Sequence, residues 1–179
     1  MVLDIEGEFY KLAKRILSSP KNLFKMASLS PKTGRVTLMG ADNYVVVGSS
    51  LLRSYTKSNE KRAYLAGKRC GKEMLGTLIK EFDEEVAELE SKKLFELGLP
   101  LCTSTGWGKF DLKSFNAKGG TASIKGKDTI ELKYRRATHH MLTCGLLTAI
   151  CSICMRKDME GKVDKVNDEE IFFSFSIKE

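Results

Sequence analysis

The sequence predicts an α+β fold in which an antiparallel sheet packs against helices. Apolar residues recur at helical spacing in the first half of the chain, and the second half changes to strand-like alternation. A helix that is apolar on nearly every side then precedes a last strand. At 179 residues, with 42% hydrophobic and 30% charged side chains, one domain can bury a core without metal or disulfides.

Helices and short strands are predicted before residue 60. Apolar spacing from Ile5 to Leu17 predicts an amphipathic helix. A short apolar piece, 22–29, precedes a strand at 35–39. Asp42 could cap the segment 43–57, whose valines favour a strand and whose second half favours a helix, so both alternatives remain.

Two further helices are predicted next. The first covers residues 60–81 and carries interior glycines, which indicate close approach by another backbone or by a ligand. These glycines are Gly67, Gly71 and Gly76. The second helix should begin at Asp83 as its cap and continue through Leu97, ending at Gly98 and Pro100.

The alternation after residue 108 predicts an antiparallel meander of three strands. Its strands are 109–115, 121–125 and 129–134, joined by turns at 116–120 and 126–128.

A buried helix and a last strand complete the predicted fold. Residues 138–155 form the helix, and serines alternate with phenylalanines in the strand 170–178.

Charge and composition narrow the functional classes. The net charge is +7, but basic residues are interleaved with acids, and a solvated strand end explains the densest run, 133–136, as well as a phosphate contact does. Nucleic acid is therefore not an expected partner. No apolar stretch of about 18 residues and no secretory signal occurs, so a cytoplasmic protein with reduced cysteines and no membrane partner is expected.

Three segments resemble the 4-vinyl reductase domain family, which is related in fold to the Golgi transport-particle core subunits. They are a glycine-rich helix at 64–78, a glycine-started strand with a Gly-Gly hairpin at 106–128, and the helix with Gly-Leu-Leu at 139–158. The resemblance covers roughly residues 20–178. It implies a ligand-binding domain with helices on one side of an antiparallel sheet and an apolar cavity between them. It also implies a homodimer formed through residues 1–60, with the ligand pocket in 61–179.

The aromatic-sensing regulators that share this domain have a zinc site, and that site is expected to be absent here. Only His140 could ligate among the positions that correspond to their zinc ligands, because the others fall at or near Val163, Val166 and Ser174. No cofactor can be assigned beyond this.

A different metal site is an alternative on the apolar helix. His140, Cys144, Cys151 and Cys154 share one stripe of about 80° but extend over about 21 Å, too far for one ion. A pair of them could give two ligands to a zinc site that other segments or a dimer mate complete. The opposing interpretation is that cysteine serves here as a small core residue.

Several residues are candidate ligand contacts. Trp107, between two glycines, is either a pocket wall or a core or lid residue, and His140 is either the polar group of the cavity or a histidine bonded to a carbonyl. His139 should point elsewhere. Cys70 could be acylated, as the resemblance to the transport subunit implies, or simply pack beside glycines. The remaining candidate contacts are Tyr64, Phe110, Cys144 and Phe173.

No catalytic motif accompanies these residues: the sequence has no Walker loop, no GxSxG and no HExxH. The main hypothesis is a small-molecule-binding module, a sensor or carrier for an apolar or aromatic ligand, a tetrapyrrole or a lipid, with a downstream protein partner. One alternative is an enzyme or accessory in reduction of a tetrapyrrole or other cyclic substrate. Another is a structural interaction module, whose pocket would be collapsed.

Overall fold

A computed structural model shows the arrangement of most of the chain after residue 58. It describes residues 27–29, 36–38, 41–44, 59–81, 89–132 and 139–178. The chain divides into two compact units, Met1–Val46 and Val47–Glu179, which are described separately.

The first unit contains a small antiparallel sheet. Its strands are β1 (Ala27–Leu29), β2 (Val36–Leu38) and β3 (Ala41–Tyr44), in that order. The predicted strand at 35–39 is confirmed by β2. The helix-capping role considered for Asp42 is wrong, because this residue lies inside β3 and pairing with β2 sets its backbone. The predicted helix from Ile5 to Leu17, and residues 45–58, lie outside the described residues.

Three helices make up much of the second unit. They are α1 (Glu60–Glu81), α2 (Ser91–Ser104) and α3 (Met141–Met155). The predicted helix at 60–81 is confirmed. The predicted end of the next helix is wrong, since α2 continues through Gly98 and Pro100. Pro100 lies on the exposed side of α2, whereas Gly98 is buried against Ile150 of α3, so a close packing contact and not a helix stop explains this glycine.

A four-stranded antiparallel sheet faces these helices. Its strands are β4 (Lys109–Asn116), β5 (Thr121–Lys127), β6 (Met159–Val166) and β7 (Glu170–Ile177), in the order β4-β5-β7-β6. The predicted meander is therefore only half right: β4 and β5 form its hairpin, but the next neighbour of β5 is β7.

Residues 129–132 form a turn where the alternation predicted a third strand. The buried Thr129 accepts a hydrogen bond from the Leu132 N–H at 3.2 Å, and Glu131, only 2% exposed, turns inward. Local side-chain bonds of this kind compete with a strand ladder and here replace it. The remainder of the predicted strand lies outside the described residues.

The core of the second unit lies between α3 and one face of the sheet. Alternate residues of β5 and β7 face it, and Ile124 and Phe173 are fully buried. Residues 142–151 of α3 are all buried, which confirms the predicted central helix. This antiparallel sheet with helices packed on it confirms the α+β prediction. None of the described helices is long and apolar enough to cross a bilayer.

Candidate ligand-binding site

Two glycines let α1 and α3 touch through their backbones. A Cβ atom on Gly67 would collide with the Leu142 carbonyl oxygen, and one on Gly145 would collide with the Tyr64 carbonyl oxygen. The sequence prediction of a close backbone approach is confirmed at Gly67 and also at Gly71, but not at Gly76, which has open space around it. This contact fixes the position of the α1 face that carries Tyr64.

A relay of hydrogen bonds from Tyr64 connects both helices to the edge strand β6. The Gly161 N–H donates to the Tyr64 hydroxyl at 3.3 Å, and this hydroxyl donates to the Thr148 hydroxyl at 3.2 Å. Thr148 in turn donates to the Cys144 carbonyl at 2.8 Å. The relay gives an N–H of the edge strand β6 an acceptor outside the sheet.

A cleft of about 920 Å³ opens beside this relay, between α1 and the sheet. Its lining combines apolar side chains with a charged rim. The apolar side includes the Tyr64 ring, Leu65, Ala122, Met141, Met159 and Phe175. The rim includes Glu60, Lys61, Lys68, Glu160, Lys162 and Lys178. Serine and threonine residues of the strands supply the remaining walls. The volume and this mixture are typical of small-molecule sites.

Lys68 holds one side of the cleft to the start of β6. Its Nζ lies 3.0 Å from Asp158 Oδ1 and 3.3 Å from the Met159 carbonyl oxygen. The ion pair lowers the pKa of the exposed Asp158 carboxyl. Together with the Tyr64 relay, it gives the cleft a second connection between α1 and β6.

A second cavity of about 400 Å³ lies at the beginning of α3. It shares four lining residues with the larger cleft: Glu60, Met141, Gly161 and Lys162. Its other walls are Val163, Val166 and the two histidines. The expectation that His139 points away from His140 is wrong, since both residues line this cavity. They precede the first turn of α3, so helical spacing does not separate them.

Three of the four imidazole nitrogens of these histidines are buried without a hydrogen-bond partner among the described residues. Neither ring nitrogen of His139, which is 9% exposed, has one, and Nδ1 of His140 has none. Burial lowers the pKa of His140, and the neighbouring His139 lowers it further. His140 therefore enters the cavity as a neutral ring with one donor and one acceptor nitrogen.

Only two of the predicted contacts line the two cavities. Tyr64 lines the cleft and His140 lines the smaller cavity. Trp107 is held elsewhere by its backbone: its N–H donates to the Cys102 carbonyl at 3.0 Å, and its carbonyl accepts from the Ile130 N–H at 3.1 Å. The other three are buried in the core and line neither cavity: Phe110, Cys144 and Phe173.

Phe175 is a contact that the sequence prediction missed. It stacks on Phe173 with ring centroids 6.5 Å apart and lines the cleft, whereas Phe173 is fully buried. Along β7 the two phenylalanines share one face and the serines between and after them lie on the other. Periodicity therefore indicated both phenylalanines as inward-facing but could not show which of them reaches the cleft. Met141 and Met159 were also missed, because a single methionine carries no pattern.

The structure does not complete a metal site around the helix cysteines. Among the described residues, no three His, Cys, Asp or Glu side chains lie close enough to share an ion. His140 lines a cavity while Cys144, Cys151 and Cys154 are fully buried. Zinc held by one of their pairs stays a prediction that needs ligands from elsewhere.

Burial raises the pKa of the cysteine thiols. It raises the pKa of Cys144 to about 12 and, with a contribution from Glu73, that of Cys70 to about 11. Because the thiolate is the nucleophile, we expect the five thiols of the native chain to react far more slowly with a thiol reagent at pH 8 than those of the urea-unfolded chain. Rapid labelling of Cys144 in the native chain would instead indicate an activated nucleophile.

Glu131 binds the first turn of α3, next to the histidine cavity. Its carboxylate accepts hydrogen bonds from the Thr143 N–H at 2.8 Å and the Leu142 N–H at 3.3 Å, in the first turn of α3. Burial raises the pKa of this carboxyl, and the hydrogen bonds from Thr143 and Leu142 partly offset that rise. The carboxylate therefore caps α3, the helix that directly follows His139 and His140.

Comparisons with known proteins identify the fold. No protein-family model and no curated protein matches the sequence. In structure the chain is similar to the phenol-responsive sensory domain of the transcription activator PoxR, determined with phenol, with a TM-score of 0.66 and 14% identity over 87% of each chain. It is also similar to trafficking protein particle complex subunit 3 from Naegleria fowleri, covalently bound to palmitic acid, with a TM-score of 0.49 and 10% identity over 73% of this chain and 88% of that one. The first likeness shows that the chain shares the fold of that sensory domain.

Proposed function

We propose that this protein is a non-catalytic module that binds an apolar small molecule in the cleft between α1 and the sheet. The observation that carries the proposal is the cleft of about 920 Å³ with an apolar side and a charged rim. Burial of apolar ligand surface there contributes about 25 cal/mol per Å² to binding. The polar rim would orient the ligand.

Two further features support a binding role. The Tyr64 relay and the Lys68 ion pair join α1 to β6 and its first residues, which fixes the positions of these two walls of the cleft before a ligand arrives. The shared fold is also that of a domain described as phenol-responsive. An interaction module with a collapsed pocket, the third of the sequence hypotheses, does not account for an open cleft.

The finer assignments are part of the same proposal. They are a sensor or carrier role, membership of the 4-vinyl reductase domain family, a homodimer formed through the N-terminal part of one domain, a downstream protein partner and a cytoplasmic location. A homodimer predicts twice the mass of the chain, 20.0 kDa, in light scattering coupled to size exclusion.

Filling the cleft should abolish binding. Leu65 lines it and is 47% exposed, so Leu65→Trp places a large side chain at the mouth at little cost to folding. We expect at least a tenfold loss of affinity for an apolar probe such as decanol, measured by isothermal titration calorimetry. The matched control is Ile177→Trp, since Ile177 is 41% exposed and lines neither cavity. Equal binding by both variants and the wild type would place the ligand elsewhere.

A further inference from the structure

The two histidines before α3 carry buried ring nitrogens that no contact among the described residues explains. Three of their ring nitrogens are buried and have no partner among the described residues: both nitrogens of His139 and Nδ1 of His140. A buried polar group without a partner destabilises a fold, so native proteins rarely keep one without a function. His139 and His140 line the same 400 Å³ cavity, so a ligand in this cavity would lie beside both residues.

The cavity and the cleft together carry an excess of positive charge. Four lysines line them, Lys61, Lys68, Lys162 and Lys178, against two glutamates, Glu60 and Glu160. Lys68 is engaged with Asp158. Lys162 lines both spaces and is otherwise only 3.6 Å from the exposed Asp164, an ion pair of small energetic weight.

We propose that the histidine cavity binds the carboxylate of an amphipathic organic anion whose apolar body occupies the adjoining cleft. A carboxylate is acceptor-only, so it can take an N–H from each imidazole and a further bond from Lys162. Met141 and Gly161 line both the histidine cavity and the cleft, so the two spaces adjoin at these residues. The inference rests on the proposed function and names the ligand class of that site.

The discriminating experiment compares decanoate with decanol, two probes that share a chain of ten carbons. Titration calorimetry on the full chain at pH 7 should show decanoate binding about tenfold more tightly than decanol. In the double variant His139→Leu/His140→Leu, decanoate affinity should fall about tenfold and decanol affinity should change less than twofold. The melting temperature of that variant should rise, because it removes three buried ring nitrogens that have no partner among the described residues. Histidines with a purely structural role would lower it instead.

A second pair of variants tests the lysine. Lys162→Gln should weaken decanoate binding severalfold, and Lys165→Gln on the same strand, which lines neither cavity, should not.

Three outcomes would overturn the inference or its basis. Equal affinity of the wild type for the two probes would remove the carboxylate site, as would a double variant that keeps the preference for decanoate. In either case the proposed function would stand if the wild type binds decanol and Leu65→Trp does not. Binding of neither probe would contradict both proposals.

Discussion

Gly145→Ala should destabilise the second unit by at least about 3 kcal/mol. The added Cβ would meet the Tyr64 carbonyl oxygen and lie 2.9 Å from the Lys68 nitrogen. These are main-chain atoms of α1, which cannot rotate away as a flexible side chain does, so the two helices must separate. Separation also moves Tyr64 from Thr148 and Gly161. Urea unfolding followed by circular dichroism gives the free-energy change.

Gly76→Ala is the matched control for this substitution. Gly76 lies in the interior of α1, and a Cβ there would have no neighbour within 4 Å. Alanine loses less backbone entropy than glycine when a helix forms, so this variant should be more stable than the wild type by about 0.5–1 kcal/mol. Similar destabilisation by both substitutions would show that the α1–α3 contact is not the reason for the effect at Gly145.

Glu131→Leu should lower the free energy of unfolding by at least about 2 kcal/mol. Leucine fills the space but leaves the buried N–H groups of Leu142 and Thr143 without an acceptor, and each orphaned donor costs about 1–3 kcal/mol. Glu131→Gln retains one amide oxygen and should lose less. If the leucine variant matched the wild type in urea unfolding, the cap would contribute nothing to α3.

The Glu131→Gln variant also has a distinct pH dependence. Because burial raises the pKa of the Glu131 carboxyl above its ordinary value of 4.5, the folded wild type holds the proton more tightly than the unfolded chain does. The contribution of this group is therefore fully present below 4.5 and declines as the pH rises through the folded pKa. As the pH rises from 4.5 through the folded pKa, the wild type should therefore lose stability relative to Glu131→Gln. A constant difference between them would mean that the carboxyl has an ordinary pKa.

Periodicity alone predicted the elements whose pattern matches their burial. For α1 the predicted bounds equal the observed Glu60–Glu81. For β7 the Phe-Ser alternation specified both the strand and its buried face. In each case a long run of residues contributes to one pattern, so a single exception does not change it.

Elements decided by a single side chain could not be predicted in this way. The alternation at 129–134 resembles a strand, but Thr129 accepts a bond from the Leu132 N–H within the turn, and Glu131 accepts one from the Thr143 N–H of α3. At β6, glutamate, lysine and aspartate alternate with Met159, Gly161 and Val163. That weak pattern was missed, because an edge strand buries few large apolar side chains.

The candidate site was predicted only in part, for a related reason. Tyr64 and His140 were chosen by residue type and line the two cavities, but Trp107 was chosen on the same grounds and lies elsewhere. Which aromatic residue reaches a cavity depends on how α1 meets α3 and β6 in space. Sequence spacing gave the close approach at Gly67, but not the pairing of Tyr64 with Gly161.

The central claim, that the cleft beside Tyr64 holds an apolar small molecule, is tested most directly by native mass spectrometry. The full chain and Leu65→Trp would each be incubated with decanol and analysed under native and then denaturing conditions. We expect the native wild type to carry the added mass of the probe and to lose it on denaturation. The tryptophan variant should carry no added mass. The absence of any complex of the wild type, or equal occupancy of the two proteins, would contradict it.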